Sequence, residues 1–355
     1  MTIVKTKTSE WKKIWSERLN IQLYKAVGIK LTVCLLFLLF FISILNAQVK
    51  WVNVDADYAP LPSTVQVFKT TDSLDGKPFI AYYVKAKLKD KKLDFTTDTT
   101  LSRRLTPLQF YEKKEQPLVV VNCTFFSFST NQNLNVVIMN GKMVAYNVHT
   151  IPMRGKDTFQ YRHSFGSAIG IDKKRNADVA WLYTDSALQY SYAAQSQQKV
   201  IKDSTDHLPV DSIKNIYSSY IHHKKLIPIF KKWKMRTAIG GGPVLVQGAR
   251  IQITNNEELK FTGKAINDKH PRTLMGYTLD GYLIIMAIQG RLPGIAEGAT
   301  LEQEAKLMIE LGCYEALNLD GGGSSCMLVN GKETIKPSDK GGERPVPAVF
   351  IIKTN

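Results

Sequence analysis

The chain has 355 residues and carries 47 Lys and Arg against 31 Asp and Glu, a formal net charge of +16 at pH 7. Hydrophobic residues make up 44% of it, which is enough apolar side chain to fill a core and excludes a disordered or collagen-like protein. The basic balance by itself would suit a nucleic-acid-binding protein. That interpretation depends on where along the chain the charge lies.

The N-terminal 47 residues have the pattern of an export signal. Residues 31–45, LTVCLLFLLFFISIL, form an uncharged apolar run, and mainly basic residues precede it. A basic flank, a short apolar run and the small residue Ala47 are the three parts of a secretory signal. Extended back to Ala26, the run has about 20 residues, the length of a membrane-spanning anchor. We therefore predict export to the periplasm or the extracellular side, with residues 1–47 either cleaved or retained as an inner-membrane anchor over residues 26–45.

The exported part keeps a charge of about +11 and three cysteines, Cys123, Cys313 and Cys326. No two of them have metal-ligand spacing such as CxxC, so they are expected to be small buried residues, with Cys313–Cys326 as the candidate disulfide. The lysines are scattered without an aromatic–basic motif, which argues against nucleic-acid binding. A positive surface of this kind would instead attract anionic substrates.

Strand and turn patterns dominate the exported chain. Residues 48–78 are interpreted as a lead-in, residues 79–88 (FIAYYVKAKL) as a first strand, and the apolar run LVVV ending before Asn122 as a buried strand. Dipeptides that suit the positive φ angles of tight hairpin turns separate apolar runs at three places. They are Asn140-Gly141, Asp280-Gly281 and Asn330-Gly331.

One helix is well marked, because Thr300 and Gln303 form a capping box and Gly312 suits the C-terminal end. Residues 186–235 are rich in Ser, Gln, Lys and Tyr and are interpreted as a polar insertion with some helix. Together these elements predict a single α+β domain over residues 79–355, with mixed or antiparallel sheets, several hairpins and packed helices.

The strongest chemical motif is the segment from Asn318 to Ser325, NLDGGGSS. Side chains alternate along a strand, so Asn318 and Asp320 project from the same side. The three glycines let the backbone approach a ligand, and with the two serines they can form a cradle for an anion. A carboxylate beside such a cradle suggests chemistry at an anionic group. The alternative is a tight turn capped by Asp320.

Two further segments supply candidate site residues. Arg272 presents a planar fork that matches phosphate, and His270 can donate a proton or a hydrogen bond near neutral pH. Asn122 ends a strand and is followed by Phe125 and Phe126, which could form a wall for a sugar or belong to the core.

Several other catalytic templates do not fit the chain. The turn Gly240-Gly241-Gly242-Pro243 lacks the spacing of an ATP-binding loop, and there is no GxSxG nucleophile elbow or HExxH zinc helix. These absences argue against an α/β-hydrolase esterase, a zinc peptidase and a nucleotide-binding protein.

These segments, in this order, resemble the phosphodiester glycosidase family. The matching stretches lie within about residues 117–352, and they are VVVNCTFF, RTAIGGGPVLVQGARI, HPRTLMGYTLDGYLIIMAIQGR, TLEQEAKLMIELGCYEALNLDGGGSSCMLVNGK and ERPVPAVFII. The chain departs from the family pattern at Cys123-Thr124, Cys326 and Ala348. These departures bear on substrate identity more than on fold.

The resemblance implies hydrolysis of the bond between sugar and phosphate in a sugar-1-phosphodiester. It implies catalytic roles for Asp320, His270 and Arg272, a phosphorylated carbohydrate as partner, no nucleic acid and no required cofactor, although a divalent metal at Asp320 stays an open alternative. Residue pattern and resemblance together predict these substrate-binding residues: Asn122, Phe125, Phe126, Asn318, Gly321, Gly322, Gly323, Ser324, Ser325 and Arg344.

Glycoside cleavage usually employs two carboxyl groups. Glu343, Glu297 and Asp280 are candidates for the second by position, and Asp280 fits its hairpin turn better. A non-catalytic binding module for anionic glycans is the alternative function, because it could use the same arginine and cradle. The carboxylate of Asp320 beside the anion site favours the enzyme.

Overall fold

β-strands account for most of the structure that the computed structural model describes, which covers residues 49–208, 221–222, 225–226 and 229–354. The predicted export signal therefore lies outside the described residues. The strands are β1 (Val52–Asn53), β2 (Val65–Thr70), β3 (Ser73–Leu74), β4 (Lys77–Pro78), β5 (Ala81–Lys87), β6 (Leu93–Thr99), β7 (Val119–Asn122), β8 (Val137–Met139), β9 (Lys142–Ala145), β10 (Thr150–Pro152), β11 (Tyr161–His163), β12 (Gly166–Asp172), β13 (Ala177–Tyr183), β14 (Ser191–Ala194), β15 (Ile201–Asp203), β16 (Ile221–His222), β17 (Lys225–Leu226), β18 (Lys231–Trp233), β19 (Met235–Gly240), β20 (Val244–Gln247), β21 (Arg250–Ile251), β22 (Arg272–Thr278), β23 (Tyr282–Ile288), β24 (Cys313–Asn318), β25 (Met327–Val329), β26 (Lys332–Glu333) and β27 (Ala348–Thr354).

Helices in the described residues are few and short. They are α1 (Pro107–Lys113), α2 (Asn255–Glu258) and α3 (Leu301–Glu310), with four 3₁₀ turns at Asp55–Tyr58, Gly155–Asp157, Gly263–Ile266 and Gly322–Ser324. None of the helices in this part of the chain is long and apolar enough to cross a membrane.

Three large sheets organise the fold. The first has eight strands in the order β1-β2-β5-β23-β22-β24-β20-β21, the second seven in the order β18-β14-β13-β12-β19-β8-β9, and the third five in the order β26-β25-β7-β27-β6. All pairings within them are antiparallel. Strands β10, β11 and β15 form a smaller sheet, and β3-β4 and β16-β17 are separate two-stranded ladders.

The main core lies where the three large sheets face one another. Val84 of the eight-stranded sheet, Ile239 of the seven-stranded sheet and Val121 of the five-stranded sheet belong to one buried cluster. Helix α3 packs on the other face of the eight-stranded sheet, and Phe110 of α1 packs on the other face of the five-stranded sheet. Burial of this apolar surface is the main stabilising contribution to the fold.

Local signals in the sequence place the turns and the longest helix correctly. Asn140-Gly141 and Asn330-Gly331 both have positive φ at each residue and connect β8 to β9 and β25 to β26. Asp280-Gly281 connects β22 to β23. Thr300 and Gln303 form the predicted capping box of α3, with Gly312 at φ +79° after its end.

The predicted α+β class with packed helices overstates the helical content, since the fold is predominantly β. The lead-in over residues 48–78 is also corrected, because β1 and β2 belong to the eight-stranded sheet and β2 pairs with β5 along its length. Alternating burial in β2 and the hydrogen-bonding needs of an otherwise open sheet edge explain this position.

The polar insertion is more regular than predicted. Strands β14 and β18 extend the seven-stranded sheet, and β15 pairs with β11. The described residues of the insertion contain no helix, and residues 209–220 lie outside the description. Cys313 and Cys326 are free thiols buried in different hydrophobic clusters, so the candidate disulfide does not form.

A buried carboxylate joins the seven-stranded sheet to the eight-stranded sheet. Glu258 Oε2 accepts hydrogen bonds from the amide and hydroxyl of Ser167, at 3.0 and 2.7 Å. Its Oε1 accepts from the Trp181 indole, the Val244 amide and the Thr254 hydroxyl, at 3.3, 2.9 and 2.6 Å. Glu258 is 2% exposed, and these five donors compensate for its loss of water.

Replacing Glu258 by Ala should lower the free energy of unfolding by at least about 3 kcal/mol, because buried donors would be left without an acceptor. Urea unfolding followed by circular dichroism measures this change. Glu257→Ala, one residue earlier in α2, is the matched control and should cost less than about 1 kcal/mol. Equal effects of the two substitutions would contradict the structural role of Glu258.

Candidate active site

Strands from two sheets end at the same place and bring the predicted site residues together. β7 of the five-stranded sheet ends at Asn122, and in the eight-stranded sheet β24 ends at Asn318, which pairs with Leu274 of β22. Residues 321–325, named here the glycine loop, follow directly after Asp320. The amide of Asp320 donates to the Cys123 carbonyl oxygen at 2.8 Å and so fixes the start of this loop.

Asn122 is a structural residue rather than the predicted substrate-binding one. Its side-chain nitrogen donates to the Asp320 carbonyl oxygen at 2.6 Å. Its side-chain oxygen accepts from the Thr273 hydroxyl at 2.8 Å and from the Cys326 amide at 3.0 Å. Asn122 is fully buried, so its amide has no surface left to meet a ligand.

Asn318 connects the end of β24 to the Gly240–Gly242 turn. Its side-chain nitrogen donates to the Gly242 carbonyl oxygen at 2.9 Å, and the Gly242 amide donates to the Asn318 carbonyl oxygen at 2.7 Å. Among the described residues, nothing donates to its buried side-chain oxygen. The protein therefore holds this amide group in one orientation, and its side-chain oxygen can still accept a hydrogen bond.

Asp320 has an unusual environment for a carboxyl group. Burial raises its pKa to about 7, although the Ser324 hydroxyl, the charge of Arg344 and the Gly321 amide all act in the opposite direction. Its Oδ2 has no hydrogen-bond partner in the described part of the chain. A carboxyl group that exchanges its proton near pH 7 is suited to acid–base or nucleophilic chemistry.

Arginine side chains lie directly against the glycine loop. Gly322 has φ +63°, and a Cβ there would lie 2.9 Å from a terminal nitrogen of Arg291. A Cβ on Gly323 would collide with Arg344 and Asp339. Glycine is thus required at these positions because the guanidinium groups sit where side chains would otherwise be.

The two arginines differ in how firmly they are held. Arg344 makes a two-pronged ion pair with Asp339, at 2.7 and 2.9 Å, and its third nitrogen lies 3.4 Å from the Ser324 hydroxyl. Arg291 is exposed, and its guanidinium has no hydrogen-bond or ion-pair partner among the described residues. Neither Arg291 nor Asp339 is among the site residues predicted from the sequence, although Arg291 ends one of the stretches that resemble the family.

Arg272 is buried in a way that differs from the predicted phosphate contact. Its Nε donates to the Ala299 carbonyl oxygen at 3.0 Å and lies 2.8 Å from a carboxylate oxygen of Glu304, and a terminal nitrogen donates to the Asp268 carbonyl oxygen at 3.3 Å. The side chains of Arg272 and Glu304 are 2% and 0% exposed. Burial raises the pKa of Glu304 to about 7, and the charge of Arg272 opposes that rise.

His270 lies beside these arginines and is partly exposed. Burial lowers its pKa, and the charges of Arg272 and Arg291 lower it further. Its Nδ1 is buried and has no hydrogen-bond partner in the described residues. The imidazole is therefore neutral at pH 7 and offers a hydrogen bond rather than a positive charge.

The two predicted aromatic residues have different surroundings. Phe126 is 7% exposed and belongs to the core cluster behind the five-stranded sheet, so it is not a sugar wall. Phe125 is partly exposed, meets the ring of Phe261 edge-on at 6.0 Å and lines a cavity. Ser325 is buried, and its hydroxyl has no partner among the described residues.

The candidates for a second carboxyl group are placed in different ways. Glu343 accepts from the Leu108 amide at 2.8 Å in the first turn of α1, and Asp280 accepts from the Thr278 hydroxyl within its own turn. Glu297 contributes its carbonyl oxygen to the Arg291 amide at 3.4 Å. Besides Asp320, the acidic side chain that the described contacts place nearest to the glycine loop is that of Asp339, which lies against Gly323. The described residues contain no group of three or more His, Cys, Asp and Glu side chains that could hold a metal ion.

A carboxyl group with a raised pKa, a glycine loop and guanidinium groups at its surface define a site for chemistry at an anionic group. A sequence model described as phosphodiester glycosidase matches residues 115–353, and the chain belongs to this family.

Curated relatives share short segments with the chain. It is 42% identical over 87 residues to the SPbeta prophage-derived uncharacterized protein YomE of Bacillus subtilis, covering 24% of this chain and 13% of that protein. It is 28% identical over 107 residues to mouse N-acetylglucosamine-1-phosphodiester alpha-N-acetylglucosaminidase, covering 30% and 20%. The human protein of that name is 32% identical over 91 residues, covering 25% and 17%. The chain thus spans at most a fifth of the length of these relatives.

Solved structures share the fold over much more of the chain. A hypothetical protein from Synechocystis aligns with a TM-score of 0.56 at 14% identity, over 87% of this chain and 64% of that one. The catalytic domain of zebrafish N-acetylglucosamine-1-phosphodiester alpha-N-acetylglucosaminidase, auto-inhibited by its pro-peptide, aligns with a TM-score of 0.51 at 18% identity, over 86% and 89%. At these identities the likeness establishes the fold.

Replacing Arg272 by Met should destabilise the protein by about 3–5 kcal/mol, because Glu304 would stay buried without its ionic partner, either as an unpaired charge or as a protonated carboxyl group without hydrogen bonds. The double variant Arg272→Met/Glu304→Leu should recover most of this loss, since neither charge remains. Urea unfolding of the single and double variants measures both effects. A small effect of Arg272→Met alone would contradict the buried ion pair.

Proposed function

We propose that the protein is an exported glycosidase that hydrolyses the bond between sugar and phosphate in a sugar-1-phosphodiester. The observation that supports it best is the position of Asp320, whose pKa is about 7, at the start of a glycine loop covered by Arg291 and Arg344. The family and the names of the mammalian relatives support an N-acetylglucosamine-like sugar as the glycosyl group.

In this proposal the phosphate binds at the glycine loop. Arg291 has an exposed guanidinium whose charge no described carboxylate neutralises, so it can contact two phosphate oxygens at once. Arg344 is already oriented by Asp339. It contributes a second positive charge at the glycine loop and contacts the Ser324 hydroxyl. Arg272 acts as a positioning residue, because its ion pair with Glu304 fixes the segment that contains His270.

The chemical step is cleavage of the bond between the anomeric carbon and the phosphate oxygen. Asp320 either attacks the anomeric carbon or takes a proton from the water that does so, and the bonding electrons leave with the phosphate monoester. If Asp320 attacks, water then cleaves the glycosyl ester, which releases the sugar and restores the carboxylate. Arg291 and Arg344 stabilise the negative charge that develops on the departing phosphate. Because a phosphate is already a good leaving group, strong protonation by a second carboxyl group is less necessary, and neutral His270 can donate a hydrogen bond to it.

A non-catalytic module that binds anionic glycans is the competing function, since it would use the same arginines. Binding would gain nothing from a carboxylate beside an anion, because like charges repel. The raised pKa of Asp320 therefore favours turnover. Export of the protein, either released or anchored by its N-terminal segment, is part of the proposal and follows from the sequence pattern.

Replacing Asp320 by Asn should reduce kcat for a sugar-1-phosphodiester at least about a hundredfold, because the amide can neither attack carbon nor accept a proton. Release of free sugar from N-acetylglucosamine-1-phosphodiesters measures this. Asp206→Asn removes an exposed carboxylate with a 77% exposed side chain and should leave kcat unchanged. Full hydrolysis by the Asp320 variant would contradict its role, and binding without turnover by the wild-type protein would support the binding module.

The pH dependence of kcat/KM should show whether Asp320 works as a base or nucleophile. Its carboxyl group is protonated below a pKa of about 7, so kcat/KM should rise as the pH is raised through that value. Glu304 also has a pKa of about 7 but is buried against Arg272, so the Glu304→Gln variant should keep the same rise. A fall in kcat/KM over this range would assign general-acid chemistry instead.

A further inference from the structure

A cavity near the candidate active site is not used by the proposed chemistry. It has a volume of about 270 Å³, and its apolar wall includes Phe125, two residues after the Cys123 carbonyl oxygen that accepts a hydrogen bond from the Asp320 amide. Lys260 and Glu258 are the charged residues that line it, together with the polar residues Asn135, Asn147 and Ser164. An apolar cavity with a few charged and polar groups is the usual design of a small-molecule site, where those groups fix the orientation of the ligand.

Lys260 lies near the carboxylate of Glu258 but is not paired with it. Its ammonium lies over the Phe125 ring, 5.4 Å from the centroid, and it forms no hydrogen bond or ion pair with any described residue. Burial lowers its pKa, and the nearby charge of Glu258 opposes that shift. Glu258 cannot serve as a close partner, since both its oxygens already accept hydrogen bonds from five other donors.

The cavity is connected to the glycine loop through the Gly240–Gly242 turn. Gly242 has φ +112°, and a Cβ there would lie 2.6 Å from the Cε atom of Lys260. On its other side, the Gly242 carbonyl oxygen accepts the hydrogen bond from Asn318, two residues before Asp320. This glycine thus lets the lysine stem approach the strand that delivers the candidate catalytic carboxyl group.

A second set of contacts runs from Phe125 at the cavity to Gly321 in the glycine loop, where a Cβ would lie 3.7 Å from the Cδ atom of Arg272. The ring of Phe125 contacts that of Phe261 at 6.0 Å, and the Arg272 guanidinium lies 5.4 Å from the Phe261 centroid. A ligand that reaches from the glycine loop into the cavity would therefore pass an aromatic wall and end at an ammonium group.

We propose that Lys260 and Phe125 form a subsite for an acidic sugar, so that the preferred glycosyl group is an N-acetylglucosamine-like sugar that bears a carboxylate in addition to its phosphodiester. The proposal rests on the proposed function, because it assigns the sugar side of that substrate. Phe125 contacts the apolar face of the sugar ring, and the Lys260 ammonium pairs with the carboxylate. The phosphate stays at the glycine loop, where Arg291 lies against Gly322 and Arg344 against Gly323.

The test compares Lys260→Met with wild type on two substrates, the methyl phosphodiesters of N-acetylglucosaminuronic acid 1-phosphate and N-acetylglucosamine 1-phosphate. For wild type, kcat/KM should be higher with the acidic substrate. Loss of the charge pair with its carboxylate should reduce kcat/KM for that substrate about thirtyfold or more in Lys260→Met, while the N-acetylglucosamine substrate changes little. Lys264→Met, an exposed lysine four residues on, is the control and should change neither value.

An equal loss with both substrates would overturn the proposal, because Lys260 would then contact the phosphate or support the fold. No preference of the wild type for the acid would overturn it as well. Calorimetry with free N-acetylglucosaminuronic acid and N-acetylglucosamine distinguishes this failure from failure of the glycosidase function. If the wild type hydrolyses neither phosphodiester but binds the free acid, and Lys260→Met does not bind it, the subsite stands while the proposed reaction is wrong. If the wild type binds neither free sugar, the subsite is wrong.

Discussion

The side chain of Asn122 holds the candidate active site together. Its three hydrogen bonds join the end of a strand in the five-stranded sheet to Thr273 in the eight-stranded sheet, to the carbonyl oxygen of Asp320 and to the amide of Cys326. The backbone on both sides of the glycine loop is thus fixed by one fully buried amide. Since an unpaired buried donor or acceptor is costly, loss of any of these partners would favour a different path for the loop. The position of the Asp320 carboxyl group depends on this arrangement.

Two buried carboxyl groups near this junction show how hydrogen bonding separates a structural role from a chemical one. Glu258 is surrounded by five donors and joins two sheets, so its negative charge is compensated in place. Asp320 has fewer compensating groups, one oxygen without a described partner and a pKa of about 7. The same functional group therefore joins two sheets in one place and exchanges its proton near pH 7 in the other.

Features that depend on a few neighbouring residues could be predicted from the sequence. The hairpin at Asn140-Gly141 and the capping box at Thr300 need only local backbone preferences, and both were confirmed. The contacts of Arg291 with the glycine loop could not be predicted, because they depend on how distant loops approach one another. Similarly, the local sequence does not show which of Phe125 and Phe126 is buried. Phe126 enters the core because it packs into the hydrophobic cluster behind the five-stranded sheet.

The arginines around the site differ in how much charge each has available for a ligand. Arg272 is fully buried against Glu304, so its charge is already paired within the protein and is not available to a ligand. Arg344 is paired with Asp339 but still reaches Ser324, so it can orient the loop and weaken the negative charge on a leaving phosphate. Arg291 is exposed without a described partner, and its charge is fully available. The same argument applies to Lys260, which is partly exposed and has no ion-pair partner among the described residues, so an anionic ligand should stabilise the site more than a neutral one.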